Sequence, residues 1–139
     1  MNGYLLDTNV ISELTTKKPD VGVVRFLKNM EAGYVSVVSV HELYFGLERL
    51  PSGSKRRQNL TSAVEDLLEI YQENILSVSQ SEARVAASMR ASMEAAGRTL
   101  HLADALLAAS SFRHGLTLVT RNEKDFAGLL LQLINPWVA

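Results

Sequence analysis

Three residues into the chain comes the stretch Tyr4-Leu5-Leu6-Asp7-Thr8-Asn9-Val10-Ile11-Ser12. Residues 4–6 have the apolarity and length of a buried strand, and the polar residues after Asp7 are typical of a helix start. In open α/β sheets, ligands and chemistry lie at the carboxyl ends of the strands. Asp7 is therefore predicted at the edge of the sheet where a functional site would lie.

Apolar runs of strand length alternate with segments of helical spacing along the rest of the chain. Further strands are predicted over 34–38, 75–78, 116–120 and 131–134, and helices over 9–15, 21–30, 39–50, 80–96 and 103–113. Another helix, with an apolar face within 60–71, makes residues 51–78 a helical arm. Strands separated by helices predict an α/β fold, with a mostly parallel sheet between helices on both faces.

Composition excludes several classes of protein. The 139 residues are 47% hydrophobic and 21% charged, as in a soluble globular domain. The absence of cysteine rules out disulfides and thiolate metal sites, and fits a reducing compartment. No leader or membrane-spanning run is evident, so we expect a cytoplasmic protein. A net charge of −1 argues against nucleic-acid binding by bulk charge, but not against brief contact with RNA.

Two more acids, Glu42 and Asp104, stand at or near predicted helix starts. Several of the polar residues also have a structural interpretation. Asp7 is among the preferred N-caps, and Glu42 has the spacing of a capping box with Ser39. Asn122 is placed to cap the segment that follows it. Taken singly, Glu42 and Asn122 are better explained as caps than as site residues.

Asp104 is harder to explain structurally, because its neighbours in the helix are nearly all small or apolar. A buried carboxylate must be paired or bind a metal. The structural alternative is a buried salt bridge, with these candidate donors: Arg84, Arg90, Arg98 and Arg121. Three carboxylates at one sheet edge repel one another unless a divalent cation neutralises them. An oxygen-only ligand set favours Mg²⁺ or Mn²⁺, the ions used in phosphodiester cleavage.

Four segments together resemble the signature blocks of the PIN domain and, more closely, of the VapC toxins of type II toxin–antitoxin pairs, including the FitB-like subgroup. They are LLDTNVISE (5–13), SVVSVHELYFG (36–46), LADALLAA (102–109) and LVTRNEKDF (118–126). The resemblance runs from residue 4 to about 137, and the first and fourth blocks are the specific ones. It implies a single PIN domain over residues 1–139, a three-layer α/β/α fold with a central five-stranded parallel sheet.

The resemblance also implies a function and a set of site residues. It implies a Mg²⁺- or Mn²⁺-dependent endoribonuclease toxin that cuts RNA with metal-activated water, is inhibited by a cognate antitoxin protein and forms a homodimer. Its implied catalytic residues are Asp7, Glu42, Asp104 and Asn122. The three acids match the metal ligands, and Thr8, Thr120 and Asn122 match positions near water or substrate.

Asn122 departs from the family pattern, because many members have aspartate there. An asparagine can still ligate weakly or orient water through its carbonyl oxygen, but the site loses one negative charge. Asp125 is the alternative acid for this position, and the site holds one metal ion or two.

Two other functions are weighed against the ribonuclease. A phosphatase of the haloacid dehalogenase type needs an acid two residues after its nucleophile, where this chain has Asn9. A non-catalytic PIN-like scaffold is favoured by Asn122 alone. Whatever its function, an anionic cleft would attract an arginine or lysine of an inhibitor peptide. The apolar faces of 43–50 and 60–71 are predicted to form the groove that binds this peptide.

Overall fold

The computed structural model describes residues 3–137, so the predicted domain limits at 1 and 139 lie outside the described part. The strands are β1 (Gly3–Leu6), β2 (Ala32–Ser36), β3 (Ile75–Leu76), β4 (Thr117–Val119) and β5 (Leu133–Ile134). The helices are α1 (Thr8–Leu14), α2 (Val21–Asn29), α3 (Val37–Glu48), α4 (Lys55–Ile70), α5 (Gln80–Ala95) and α6 (Leu102–His114). Short 3₁₀ turns cover Gln72–Asn74 and Glu123–Phe126. Within 3–137, no helix is long and apolar enough to cross a bilayer.

The five strands form one sheet in the order β3-β2-β1-β4-β5, and all four pairings are parallel. The first strand of the chain therefore lies at the centre of the sheet. On one side it pairs with β4, where Leu5 lies opposite Leu118 and Leu6 opposite Val119. This arrangement confirms the predicted parallel sheet.

Alternate side chains of the central strands enter two different cores, as the two-residue period of a strand requires. Leu6 and Val119 pack with residues of α1 to α4 on one face. Leu5 and Leu118 pack with Leu107 of α6 on the other. Helices therefore cover both faces, which confirms the predicted three-layer α/β/α architecture.

The second strand and the helix after it begin earlier than predicted. Gly33, which precedes the predicted strand 34–38, lies within β2, and α3 starts at Val37 instead of residue 39. The cause is Ser36, whose hydroxyl accepts the N–H of Val38 at 3.0 Å and caps the helix there. Ser39 is consequently inside α3, so the predicted capping box between Ser39 and Glu42 is wrong.

The helical arm packs against the rest of the domain. Leu43 and Leu47 of α3 and Val64 of α4 are buried in one shared core. These three side chains are therefore not available to a docking peptide, and the groove predicted along the partly buried remainder of 43–50 and 60–71 stays a prediction.

The last described turn of the chain packs closely against the start of α2. A Cβ atom at Gly22 would lie 2.5 Å from the carbonyl oxygen of Pro136 and 3.1 Å from Oδ1 of Asp20. Asp20 is the N-cap of α2 and accepts the N–H of Val23 at 3.1 Å. Only glycine allows this approach, which fixes the end of β5 beside α2.

Gly22→Ala is expected to lower the free energy of unfolding by about 1–3 kcal/mol, because the new methyl group collides with backbone. The matched control is Gly46→Ala in α3, where a Cβ meets nothing within 4 Å. That change is expected to stabilise by about 0.5–1 kcal/mol, the usual gain of alanine over glycine in a helix. Urea unfolding of both variants checks this, and equal effects would contradict the close packing at Gly22.

Candidate active site

A cleft of about 490 Å³ opens at the carboxyl ends of β1 and β4. Its lining is mostly polar and acidic: Asp7, Thr8, Asn9, Ser12, Glu13, Thr16, Glu42, Asp104, Arg121, Asn122 and Trp137. The structure therefore brings Asp7, Glu42, Asp104, Asn122 and Thr8 to one place. Thr120 lies beneath the cleft, and Asp125 is not part of its lining.

Asp7 both caps α1 and forms the floor of the cleft. Its side chain is 5% exposed, and one carboxylate oxygen accepts the N–H of Thr8 at 2.6 Å. The other accepts the hydroxyl of Thr120 at 2.8 Å and the amide of Asn9 at 3.3 Å. Burial raises the pKa of Asp7 above its usual value, and the negative charge of Glu42 adds to the rise while the three donors oppose it.

Thr120 supports Asp7 from below. Its side chain is fully buried, and its hydroxyl donates to Asp7 and accepts the backbone N–H of Asn122 at 3.0 Å. The hydroxyl thus faces Asp7 and the backbone of Asn122, and a role of Thr120 in positioning water or substrate stays a prediction. Because the buried hydroxyl of Thr120 both donates one hydrogen bond and accepts another, it is placed to hold Asp7 in position.

Glu42 lies in the second turn of α3 and faces the cleft. The hydroxyl of Thr8 donates to its Oε1 at 2.6 Å, and the same hydroxyl oxygen lies 2.8 Å from Oγ of Ser39. These contacts join the start of α1 to α3. The hydrogen bond from Thr8, and not a helix-capping bond, fixes the carboxylate of Glu42.

Asp104 lies in the first turn of α6 and is half-buried. Burial, followed by the charges of Asp7, Asp125 and Glu42, raises the pKa of Asp104 to about 6, and His101 opposes the rise. No ion pair with Asp104 occurs among the described residues. The salt-bridge interpretation is therefore wrong.

Three of the four arginines proposed as donors have other contacts. Arg90 donates to the carbonyl of Leu100 at 3.0 Å, and Arg98 donates to that of Lys124 at 2.9 Å. Arg121 lies over the ring of Trp137.

The cleft concentrates negative charge that no described side chain neutralises in an ion pair. Over residues 3–137, the acids of its lining take part in no ion pair. In the same part of the chain, no three acidic or histidine side chains are close enough to make a ready three-ligand metal site. Mg²⁺ is commonly held by one or two carboxylates, with water and substrate phosphate completing its shell. The all-oxygen, unpaired set around Asp7 and Asp104 fits such an ion.

The sequence did not identify six residues of the cleft lining: Asn9, Ser12, Glu13, Thr16, Arg121 and Trp137. Asn9 follows Asp7 by two residues, so its place in the same turn was a usable signal. The sequence indicates Arg121 only as a candidate salt-bridge donor and gives no role in the site to Trp137. The position of Trp137 depends on Asn135, which accepts its N–H, and on the distant contact between Gly22 and Pro136. Asn122 lines the cleft without making the side-chain cap bond considered for it.

In metal-free protein, Asp104 is expected to titrate near pH 6, against the ordinary value of 3.8. The folded state then binds the proton of the Asp104 carboxyl more tightly than the unfolded state does. The contribution of Asp104 to the free energy of unfolding therefore falls as pH rises from about 4 to about 6. Carboxyl ¹³C NMR and urea unfolding across this range check both statements. Asp104→Asn removes the titration and is expected to raise Tm at pH 7.5 by about 2–4 °C. If Asp104 titrates below pH 4.5, burial and the neighbouring carboxylates do not raise its pKa as stated.

Thr120→Val is expected to cost about 1–3 kcal/mol of stability at neutral pH, because it leaves the buried Asp7 carboxylate without its hydroxyl donor. Thr120→Ser keeps the hydroxyl and serves as the control. Equal stability of the valine and serine variants in urea unfolding would show that this hydrogen bond does not hold Asp7.

Comparison with known proteins agrees with this geometry. The family model described as PIN domain matches residues 4–129. The plasmid stability protein StbB of Pseudomonas syringae pv. tomato is 36% identical, covering 97% of this chain and 99% of its own. The VapC ribonuclease Y4jK of Sinorhizobium fredii is 35% identical, covering 96% of each.

A solved structure shows the same fold over the whole length. The crystal structure of FitAcB from Neisseria gonorrhoeae has a TM-score of 0.88 at 32% identity and covers 98% of this chain and 99% of its own. Sequence model, relatives and fold agree, and the chain belongs to the PIN domain family.

Proposed function

We propose that this protein is an endoribonuclease that acts as the toxin of a toxin–antitoxin pair and needs Mg²⁺ or Mn²⁺. The observation that carries the proposal is the buried carboxylate of Asp7, which has no ion-pair partner within residues 3–137 and shares its cleft with Glu42 and Asp104. Such charge raises the free energy of the metal-free protein, and a bound divalent ion would offset that cost.

The names of the relatives support the reaction and the biological setting. Two are named VapC ribonuclease Y4jK and toxin FitB. The FitAB and VapBC2 structures are complexes bound to DNA fragments, at 29% and 26% identity to this chain. We propose that this chain likewise pairs with a cognate antitoxin. A homodimeric state, a cytoplasmic location and one PIN domain over residues 1–139 complete the proposal.

The residues divide into those that would hold the ion and those that support them. Asp7 and Asp104 would be the direct ligands, with Glu42 as the third acid. A bound Mg²⁺ or Mn²⁺ would supply a neutralising charge and an activated water for attack on phosphorus. Thr120 and Asn9 hold the carboxylate of Asp7 through their hydrogen bonds. Thr8 holds Glu42 in the same way, and Asn122, at the rim, is the candidate for orienting water or substrate.

Cleavage of a mixed pool of structured RNA, with Mg²⁺, Mn²⁺ or EDTA, tests the proposal. Wild-type protein is expected to cut at discrete positions only with metal. Asp7→Asn and Asp104→Asn are each expected to lower the rate by at least about 100-fold, since groups that merely orient a metal ligand are already worth 10–100-fold. Asp66→Asn changes an exposed acid of α4 outside the cleft and is the matched control.

Metal binding by calorimetry separates this function from its alternative. A folded protein that neither cuts RNA nor binds Mn²⁺ would overturn the proposal in favour of a non-catalytic scaffold. Cutting that persists in EDTA would overturn the metal requirement alone.

A further inference from the structure

Arg121 is the one basic residue among the described residues that line the cleft. Its guanidinium carbon lies 5.2 Å from the centre of the Trp137 ring. Within residues 3–137, no carboxylate lies at ion-pairing distance from it. Opposite charges in one cleft attract, yet the guanidinium of Arg121 pairs with none of the described acids. We attribute this separation to its stacking on the ring of Trp137.

One side chain fixes the backbone of both members of this stack. The amide of Asn135 donates to the carbonyl of Arg121 at 3.4 Å, and its oxygen accepts the N–H of Trp137 at 3.0 Å. The same amide donates to Glu123 at 3.2 Å. On the other side, the N–H of Arg121 donates to Asn9 at 3.3 Å. The stack is therefore tied to the residue that also contacts Asp7.

We propose that Arg121 binds a phosphate of a single-stranded RNA next to the one that is cut, and that Trp137 is the positioning residue that keeps its guanidinium available. The proposal rests on the ribonuclease function above. An acidic cleft repels a polyanion, so a cation at its rim is needed to admit one. A guanidinium stacked on an indole keeps its planar fork of donors, which matches two phosphate oxygens.

The size of the cleft favours an unpaired strand. At about 490 Å³ it is comparable to a small-molecule site and admits a nucleotide or two. Sequence-specific proteins commonly bind RNA at loops and ends, where the bases are unpaired.

Binding of a fluorescent, mixed-sequence, single-stranded RNA in EDTA tests the proposal without cleavage. Arg121→Gln is expected to raise Kd about tenfold. It is also expected to reduce the slope of log K against log salt by about 0.7, the loss of one phosphate contact. In Mg²⁺ cleavage, KM should rise about tenfold with little change in kcat. Arg49→Gln is the matched control, because Arg49 lies 5.5 Å from the centre of the Phe45 ring, outside the cleft.

Trp137 is tested by a pair of variants. Trp137→Leu removes the ring face and is expected to reproduce most of the Arg121→Gln effect, while Trp137→Phe keeps an aromatic face and should restore binding to within about threefold of wild type. A thermal melt shows whether each variant is folded. An unchanged Kd and salt slope in Arg121→Gln would overturn the proposal, as would equal losses in the leucine and phenylalanine variants. If wild-type protein binds RNA but does not cut it in Mg²⁺ or Mn²⁺, the proposed ribonuclease function is refuted. The binding data in EDTA then still decide whether Arg121 binds a phosphate.

Discussion

The buried carboxylate of Asp7 is the constraint around which the site is arranged. It ends the central strand, caps the helix that follows and takes hydrogen bonds from both sides of the cleft. A single ionised group in this position costs free energy, and Glu42 and Asp104 increase that cost. The neighbouring hydrogen bonds offset part of it without neutralising any charge. The fold therefore maintains an electrostatic repulsion among these acids, which the divalent cation proposed for the site would relieve.

Much of the fold was predictable because its signals are local. Apolar runs of three to five residues and helical spacing identified the five strands and the six α-helices, and a parallel sheet followed from their alternation. The start of α3 was not predictable by the same means, because Ser36 and Ser39 are equally good caps in sequence. Tertiary structure decides which serine caps α3. Ser39 is buried beside Thr8, and a helix that began at Ser39 would place this serine outside the packed interface.

The site was predictable to the level of which acids converge, but not how each is held. Asp7, Glu42 and Asp104 are conspicuous because a carboxylate among apolar residues needs an explanation. The partners of those acids come from distant parts of the chain, as in the bond between Thr120 and Asp7. The place of Trp137 depends on a glycine in another helix, and no pattern near residue 137 contains that information.

The central position of β1 has a consequence for how the protein is made. The strand β1 must wait for β4, which lies far along the sequence at Thr117–Val119, before both of its edges are paired. The hydroxyl that holds Asp7 arrives only with residue 120. Long-range pairings of this kind form late in folding. A chain that ends before Thr120 lacks this hydroxyl and the pairing with β4, and thus cannot assemble the cleft.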